Sequence, residues 1–157
     1  MNSLVEYRKA TIDDIDQLVI LRTLMQCEVN NIDPFQDFTD YKLKAREYFQ
    51  YNLKNETYIS GVAVLDGKII SACGVVFYNK PPSIVSGKSI VGYVTNVFTI
   101  PEFRGMGHAS QALKILIKEA QVINADKLVL GATEDGKGVY EKLGFTNPRF
   151  VNLELKI

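Results

Sequence analysis

Arg104-Gly105-Met106-Gly107-His108-Ala109 is the stretch of this chain whose residue types and spacing could do chemistry. A β-rich run stops at Ile100-Pro101, the Arg-Gly-x-Gly loop follows, and an amphipathic pattern begins at once. That order builds a seat for an anion. Glycines let backbone N–H groups come close to a ligand, and a helix N-terminus adds unpaired donors and a partial positive charge. Arg104 can add a forked, charge-assisted contact to a phosphate, so a pyrophosphate suits the seat. Gly-x-Gly alone equally describes a tight turn before a surface helix. Two other phosphate loops fit poorly. A P-loop needs Lys-Ser/Thr directly after its last glycine, where His108-Ala109 stands, and a dinucleotide fingerprint needs a third glycine where Ser110 stands.

The elements that must position this loop are legible as periodic patterns. Val5 to Lys9 reads as a first strand, and Thr11-Ile-Asp-Asp14 as a capping box opening a helix over about 12 to 28. On that helix Ile12, Ile15, Leu18, Val19, Arg22 and Met25 recur at helical spacing. Thr39 caps a second helix to about Leu53, with Ala45, Tyr48, Phe49 and Leu53 on one side. Thr57 to Leu65 and Lys68 to Tyr78 form a hairpin around Asp66-Gly67. The Pro81-Pro82 segment is a loop, because successive prolines cannot join a central ladder. A strand from Ile90 to Thr99 enters the glycine loop, and Ala109, Ala112, Leu113, Leu116, Ile117 and Ala120 make the apolar stripe of the next helix. Lys127 to Ala132 reads as a fifth strand, Asp135-Gly136 turns into a short helix, and Gly144 stands at its C′ position. Val151, Leu153, Leu155 and Ile157 alternate with Asn152, Glu154 and Lys156, the pattern of a half-buried last strand over Phe150 to Ile157. No repeat or linker interrupts residues 1–157, which reads as one α/β domain.

Read as a unit, the C-terminal half resembles the GNAT superfamily of acyl-CoA N-acyltransferases. That family's pyrophosphate loop, Arg/Gln-x-x-Gly-x-Gly/Ala, is matched at every fixed position by Arg104 to Ala109. Val97-Phe-Thr-Ile-Pro-Glu-Phe103 is similar to its splayed fourth strand, and Val139-Tyr-Glu-Lys-Leu-Gly-Phe145 resembles its Tyr-x-Lys-x-Gly-Phe signature. The resemblance implies a mixed, mostly antiparallel sheet flanked by helices and split between strands 4 and 5. It implies acetyl-CoA as co-substrate, held by the strand-4 backbone at Val97, Phe98 and Thr99, by Arg104, Gly105, Met106, Gly107, His108 and Ala109, and by contacts at Thr133 and Tyr140. It implies no metal.

Acetyl transfer from a thioester to a primary amine poses three problems. An amine with pKa about 10.4 is protonated at pH 7, at a cost of about 4–5 kcal/mol before it can attack. The developing oxyanion needs a preorganised donor, worth about 3–4 kcal/mol in comparable sites; a strand-4 N–H can serve. The departing thiolate gains from a proton donor, and the resemblance gives that role to Tyr140. For the base, Glu134 and Asp135 follow strand 5 at the mouth of the expected split, and Glu134 is the residue assigned here. Glu102 is equally acidic but lies on an exposed turn. Asn96 stands where some relatives carry an acid, and an amide cannot take a proton, which leaves a water-mediated route open. His108 is the only histidine, but its place in the phosphate loop favours a backbone contribution.

The acceptor pocket is expected from residues 25 to 50 and the Pro81-Pro82 loop, with Phe35, Phe38, Tyr41, Tyr48 and Tyr51 as an aromatic mouth. The acceptor is a small-molecule or peptide amine of unnamed structure. A non-catalytic CoA-binding regulatory module with the same fold is the alternative, and a nucleotide-binding protein a third.

Composition bounds these readings. Eighteen basic residues balance eighteen acidic ones, so no global field points to nucleic acid or an anionic membrane. The 46% hydrophobic and 23% charged content is that of a globular protein. Cys27 and Cys73 belong to no metal-ligand spacing and read as free thiols in a reducing cytoplasm. Met1 to Glu6 lacks the basic start and apolar run of a signal peptide, and no stretch approaches the length of a membrane span. A homodimer is also expected, with the alternating last strand either joining a partner's sheet or ending its own.

Overall fold

The computed structural model describes residues 3–157. A five-stranded sheet runs in the order β1 (Glu6–Lys9), β2 (Tyr58–Leu65), β3 (Lys68–Asn79), β4 (Ile90–Thr99) and β5 (Lys127–Val129). The first four strands are antiparallel to their neighbours, and β5 lies parallel to β4. Helices α1 (Ile15–Asn30) and α2 (Thr39–Lys54) precede β2, α3 (His108–Val122) joins β4 to β5, and α4 (Lys137–Lys142) follows β5. This is the mixed, mostly antiparallel sheet flanked by helices that the resemblance implies.

Local chemistry fixes the entries to these elements. Thr11 and Asp14 form the expected capping box: the Asp13 N–H donates to the Thr11 hydroxyl at 3.3 Å, and the Thr11 N–H donates to the Asp14 carboxylate at 2.7 Å. Arg8 clamps the same carboxylate with two N–H groups at 2.7 and 3.0 Å, which pins β1 to the start of α1. Asp66 and Gly67, both at positive φ, make the β2–β3 turn. At α2 the N-cap is Phe38, which makes no side-chain cap bond, and the Asp37 carboxylate just before it accepts from both the N–H and the hydroxyl of Thr39, at 2.9 and 2.6 Å. Thr39 is therefore the first helical residue and not the cap.

Two apolar layers sandwich the sheet. Ile15, Leu18, Val19, Leu21 and Phe49 of α1 and α2 pack with Tyr58, Val62, Ile69 and Phe98 on one side. On the other side Ala112, Leu113 and Leu116 of α3 pack on Cys73, Val75 and Val94, with Val139, Tyr140 and Leu143 of α4 beside them. Helix α3 sits close because Gly61 has no side chain; a Cβ there would lie 2.5 Å from the Ala112 carbonyl oxygen.

The C-terminal end departs from expectation. Strand β5 stops at Val129, short of Ala132, and Phe150–Ile157 forms no strand. Phe150, Val151, Leu153, Leu155 and Ile157 all lie exposed to solvent. Alternation reports that a segment is suited to pairing, but pairing also needs an edge within reach, and this chain does not bring its last segment onto its own β5.

Candidate functional site

The sheet parts where sequence order requires it. β5 pairs with β4 only from Val91 to Tyr93, so the rest of β4 has no strand on that side. Just beyond lies a bulge. Ala72 pairs with Phe98 and Gly74 with Thr95, which leaves Cys73 of β3 facing both Asn96 and Val97. Asn96 takes a left-handed backbone, φ 58°, a conformation that asparagine tolerates better than most residues.

The Asn96 amide ties the bulge to the helices. Its oxygen accepts from Arg22 Nη1 at 2.6 Å, and its Nδ2 donates to the Tyr58 hydroxyl at 2.8 Å. Arg22 Nε also donates to the Tyr41 hydroxyl at 3.1 Å. Tyr58 is fully buried and crosses the space over Gly74, where a Cβ would collide with its ring. Burial pushes the Tyr58 phenol well above its ordinary range, so it is held neutral. Arg22, Tyr58 and Asn96 also line a cavity of about 10 Å³ with Leu18, Leu21, Phe49, Ser60 and Ala72. Sequence reasoning did not assign Arg22 or Tyr58. The available signal was a cation on the apolar stripe of α1, i+4 from Leu18.

Past Thr99 the chain makes a short 3-10 turn, Pro101–Phe103, and enters the glycine loop. Gly105 and Gly107 have φ of 77° and 83°, which side chains rarely adopt. A Cβ at either position would meet no protein atom within 4 Å, so the space over the loop is open to a ligand. Gly107 precedes α3 without a side-chain cap, and the first-turn N–H groups have no partner within the helix. Open space, left-handed glycines and free helix donors fit a pyrophosphate.

Arg104 is held at the rim by three contacts. Its Nε donates to the Thr99 carbonyl at 2.9 Å, its Nη2 to Glu28 of α1 at 2.8 Å, and its guanidinium lies 5.3 Å from the Phe98 ring centre. Met106 is exposed. The His108 imidazole is buried, with Nδ1 2.9 Å from the Tyr7 hydroxyl and its ring near Phe103. That leaves the backbone of His108 and Ala109 as what they offer the loop.

Phe98 is buried under α1, while Val97 packs with the α3 layer and Thr99 shares a hydrogen bond of 2.7 Å with Ser71. Tyr140 of α4 packs against the same cluster as Val97 and stands edge-on to Phe145. Burial raises its phenol above the ordinary value. Thr133 opens the turn that precedes α4, its hydroxyl accepting from the Gly136 N–H at 3.1 Å. Glu134 and Asp135 are exposed on that turn, and neither makes a side-chain hydrogen bond or ion pair among the described residues. The structure thus gathers β4, the loop and Tyr140, and leaves Glu134 at the edge. Of the expected aromatic mouth, Tyr41 reaches Arg22 and Tyr48 packs edge-on to Tyr58, whereas Phe35 and Tyr51 point to solvent. Among the described residues no helix is long and apolar enough to cross a membrane, and no cluster of His, Cys, Asp or Glu could hold a metal.

Comparison with known proteins agrees with this geometry. The model of the acetyltransferase (GNAT) family matches residues 22–145. A predicted acetyltransferase from Clostridium acetobutylicum, solved with acetyl-CoA, is similar at 32% identity over 96% of each chain, with a TM-score of 0.80. An aminoglycoside N-acetyltransferase in complex with CoA shares the fold at 16% identity and TM-score 0.77, over 99% of this chain and 97% of its own. Glucosamine-6-phosphate N-acetyltransferase from Arabidopsis thaliana does so at 18% identity and TM-score 0.72, over 97% of this chain and 98% of its own. No curated protein matches the chain.

Proposed function

The chain belongs to the GNAT acetyltransferase family, and from that premise we propose that it moves an acetyl group from acetyl-CoA to a primary amine. Transfer is by direct attack while both substrates are bound. The observation that carries this reading is the continuous path from the open glycine loop along the uncovered edge of β4 to the bulge at Asn96 and Val97.

Acetyl-CoA supplies an activated acyl carbon on a thiol leaving group. The chain's residues do the rest. The first turn of α3, with Gly105, Met106, Gly107, His108 and Ala109, binds the pyrophosphate through backbone N–H groups, and Arg104 adds charge. The β4 backbone at Val97, Phe98 and Thr99 offers the pantetheine amides a strand-like partner, and a donor at Val97 faces the developing oxyanion. Tyr140 gives a hydrogen bond or proton to the departing sulfur, a role its raised pKa suits because the phenol keeps its proton. Thr133 is a further cofactor contact. Glu134 takes up the amine's proton through water, since it stands exposed on the turn before α4. Arg22, held by Asn96 and Tyr41, lies on the acceptor side with Tyr48.

A homodimer in the cytoplasm completes the reading. Both cysteines are free and buried, as a reducing compartment allows. Calorimetric titration with acetyl-CoA, followed by turnover on a panel of amines, tests the function. Binding with turnover supports it; binding without turnover on any amine favours the regulatory module, and absence of binding rejects both.

A further inference from the structure

We propose that the acceptor amine carries a carboxylate, as an amino acid does, and that Arg22 is the residue that binds it; this rests on the acetyl-transfer reading above. Arg22 is a half-buried cation of α1. Arg8, Arg46 and Arg104 face the carboxylates of Asp14, Asp16 and Glu28. Among the described residues Arg22 faces none, and neutral groups hold it instead. Its Nη1 donates to the Asn96 side-chain oxygen at 2.6 Å and its Nε to the Tyr41 hydroxyl at 3.1 Å. The Gln26 side-chain amide, one turn along α1, lies 3.3 and 3.1 Å from Nη1 and Nη2. These partners fix the guanidinium in place without cancelling its charge. A charge drawn partly out of water is costly unless a counter-charge meets it, and here the ligand is what brings one.

The position of this cation ties it to the acyl slot. Asn96, whose amide holds it, is the bulge residue next to Val97, and the two together face Cys73 of β3. The Val97 side chain packs with the α3 layer, whereas the Asn96 side chain turns toward Arg22 and Tyr58. The guanidinium therefore stands beside the proposed transfer point, on its α1 side. Tyr41 and Tyr48 extend that rim. Burial raises the Tyr48 phenol and the Arg22 charge opposes the rise, so the field of the cation reaches the rim. The charge also selects among amines. One guanidinium balances the single negative charge of a carboxylate and meets its two oxygens with a fork. A phosphate dianion asks for more positive charge, and none of the residues that hold Arg22 supplies it. A polycationic amine meets a like charge here and is disfavoured, whereas a zwitterionic amino acid carries its own counter-charge.

Steady-state rates with acetyl-CoA on matched pairs test this: a panel of α-amino acids, each beside its α-carboxamide, with spermidine and glucosamine 6-phosphate as the polycationic and phosphorylated amines. For the best amino acid the wild type should show a kcat/KM about tenfold or more above that of the amide, the gain of a hydrogen bond to a charged group, carried by KM. Arg22→Gln should erase that ratio by raising KM for the acid alone. Arg22→Lys, which keeps the charge without the fork, should retain part of it. Acetyl-CoA affinity, read by calorimetry, should stay at the wild-type value in both variants. Should Arg22→Gln fail to fold, the wild-type ratio and Arg22→Lys still decide. Equal rates on acid and amide, a preference for spermidine or glucosamine 6-phosphate over every amino acid, or an acid preference that survives Arg22→Gln would overturn the proposal and leave acetyl transfer standing. Acetyl-CoA binding without transfer to any amine would overturn the transfer reading, and this proposal with it.

Discussion

Arg104 Nη2 donates to Glu28 Oε2 at 2.8 Å, so the cation of the glycine loop is already neutralised by a carboxylate of α1. A phosphate arriving at the loop exchanges with that carboxylate. Both side chains are about half exposed, so the pair is worth at most about 1 kcal/mol and weakens in salt. Glu28→Gln should therefore tighten acetyl-CoA binding several-fold at low salt, with the gain shrinking as salt rises. Arg104→Ala should weaken it by about 1.5 kcal/mol, the low end for a hydrogen bond to a charged group. Calorimetry at two salt concentrations checks both.

Gly107 separates strain from occupancy. Nothing in the protein lies near a Cβ there, so Gly107→Val should lower stability only by the left-handed backbone cost of about 1–2 kcal/mol. Its KM for acetyl-CoA should rise tenfold or more, because the branched side chain fills ligand space. Thermal unfolding and initial rates on the same preparation distinguish the two effects; an unchanged KM would place the anion site elsewhere.

Tyr140→Phe should lower turnover about 10- to 1000-fold, a contribution at or below that of a positioned acid. Acetyl-CoA affinity should hardly change, since the ring keeps its packing on Phe145. Because burial raises the Tyr140 pKa above its ordinary value, its proton is retained through the neutral range, and no loss of rate from its ionisation should occur there. Single-turnover measurement is needed, since slow product release hides a lost acid.

Asp14 governs acid stability. Hydrogen bonding and charge from Arg8 hold its carboxyl below the ordinary value, with the Thr11 N–H helping against the burial that opposes it. A depressed folded pKa adds stability above the unfolded value near pH 4 and loses it as pH falls through the folded one. Asp14→Asn should be destabilised by about 2 kcal/mol at pH 7, and the gap from wild type should close below pH 4. Urea unfolding at pH 7 and pH 3 measures this.

Much of the fold was legible in the sequence because its signals are local. The Thr11–Asp14 box, the Asp66-Gly67 turn and the stripe of α3 each carry their own physical cause within a few residues. The glycine loop was legible for the same reason. What the sequence hid depends on distant partners. Arg22, Asn96 and Tyr58 are far apart in the chain, and only the β4 bulge brings them together. The alternation of Val151 to Ile157 predicted a half-buried last strand that the structure does not form, because periodicity does not say whether a sheet edge lies within reach. Glu134 was expected directly after β5, but that strand ends at Val129, so Glu134 stands exposed on the later turn before α4.

The central claim is chemical transfer, and label tracing tests it most directly. The protein is incubated with acetyl-CoA labelled in the acetyl carbons and a panel of primary amines, and both the free CoA thiol and the labelled amide are measured. The account predicts amide label appearing on at least one amine, one thiol released for each amide formed, and both signals reduced together in Tyr140→Phe and Gly107→Val. Thiol release without labelled amide, or no release with any amine while acetyl-CoA binds, would contradict it.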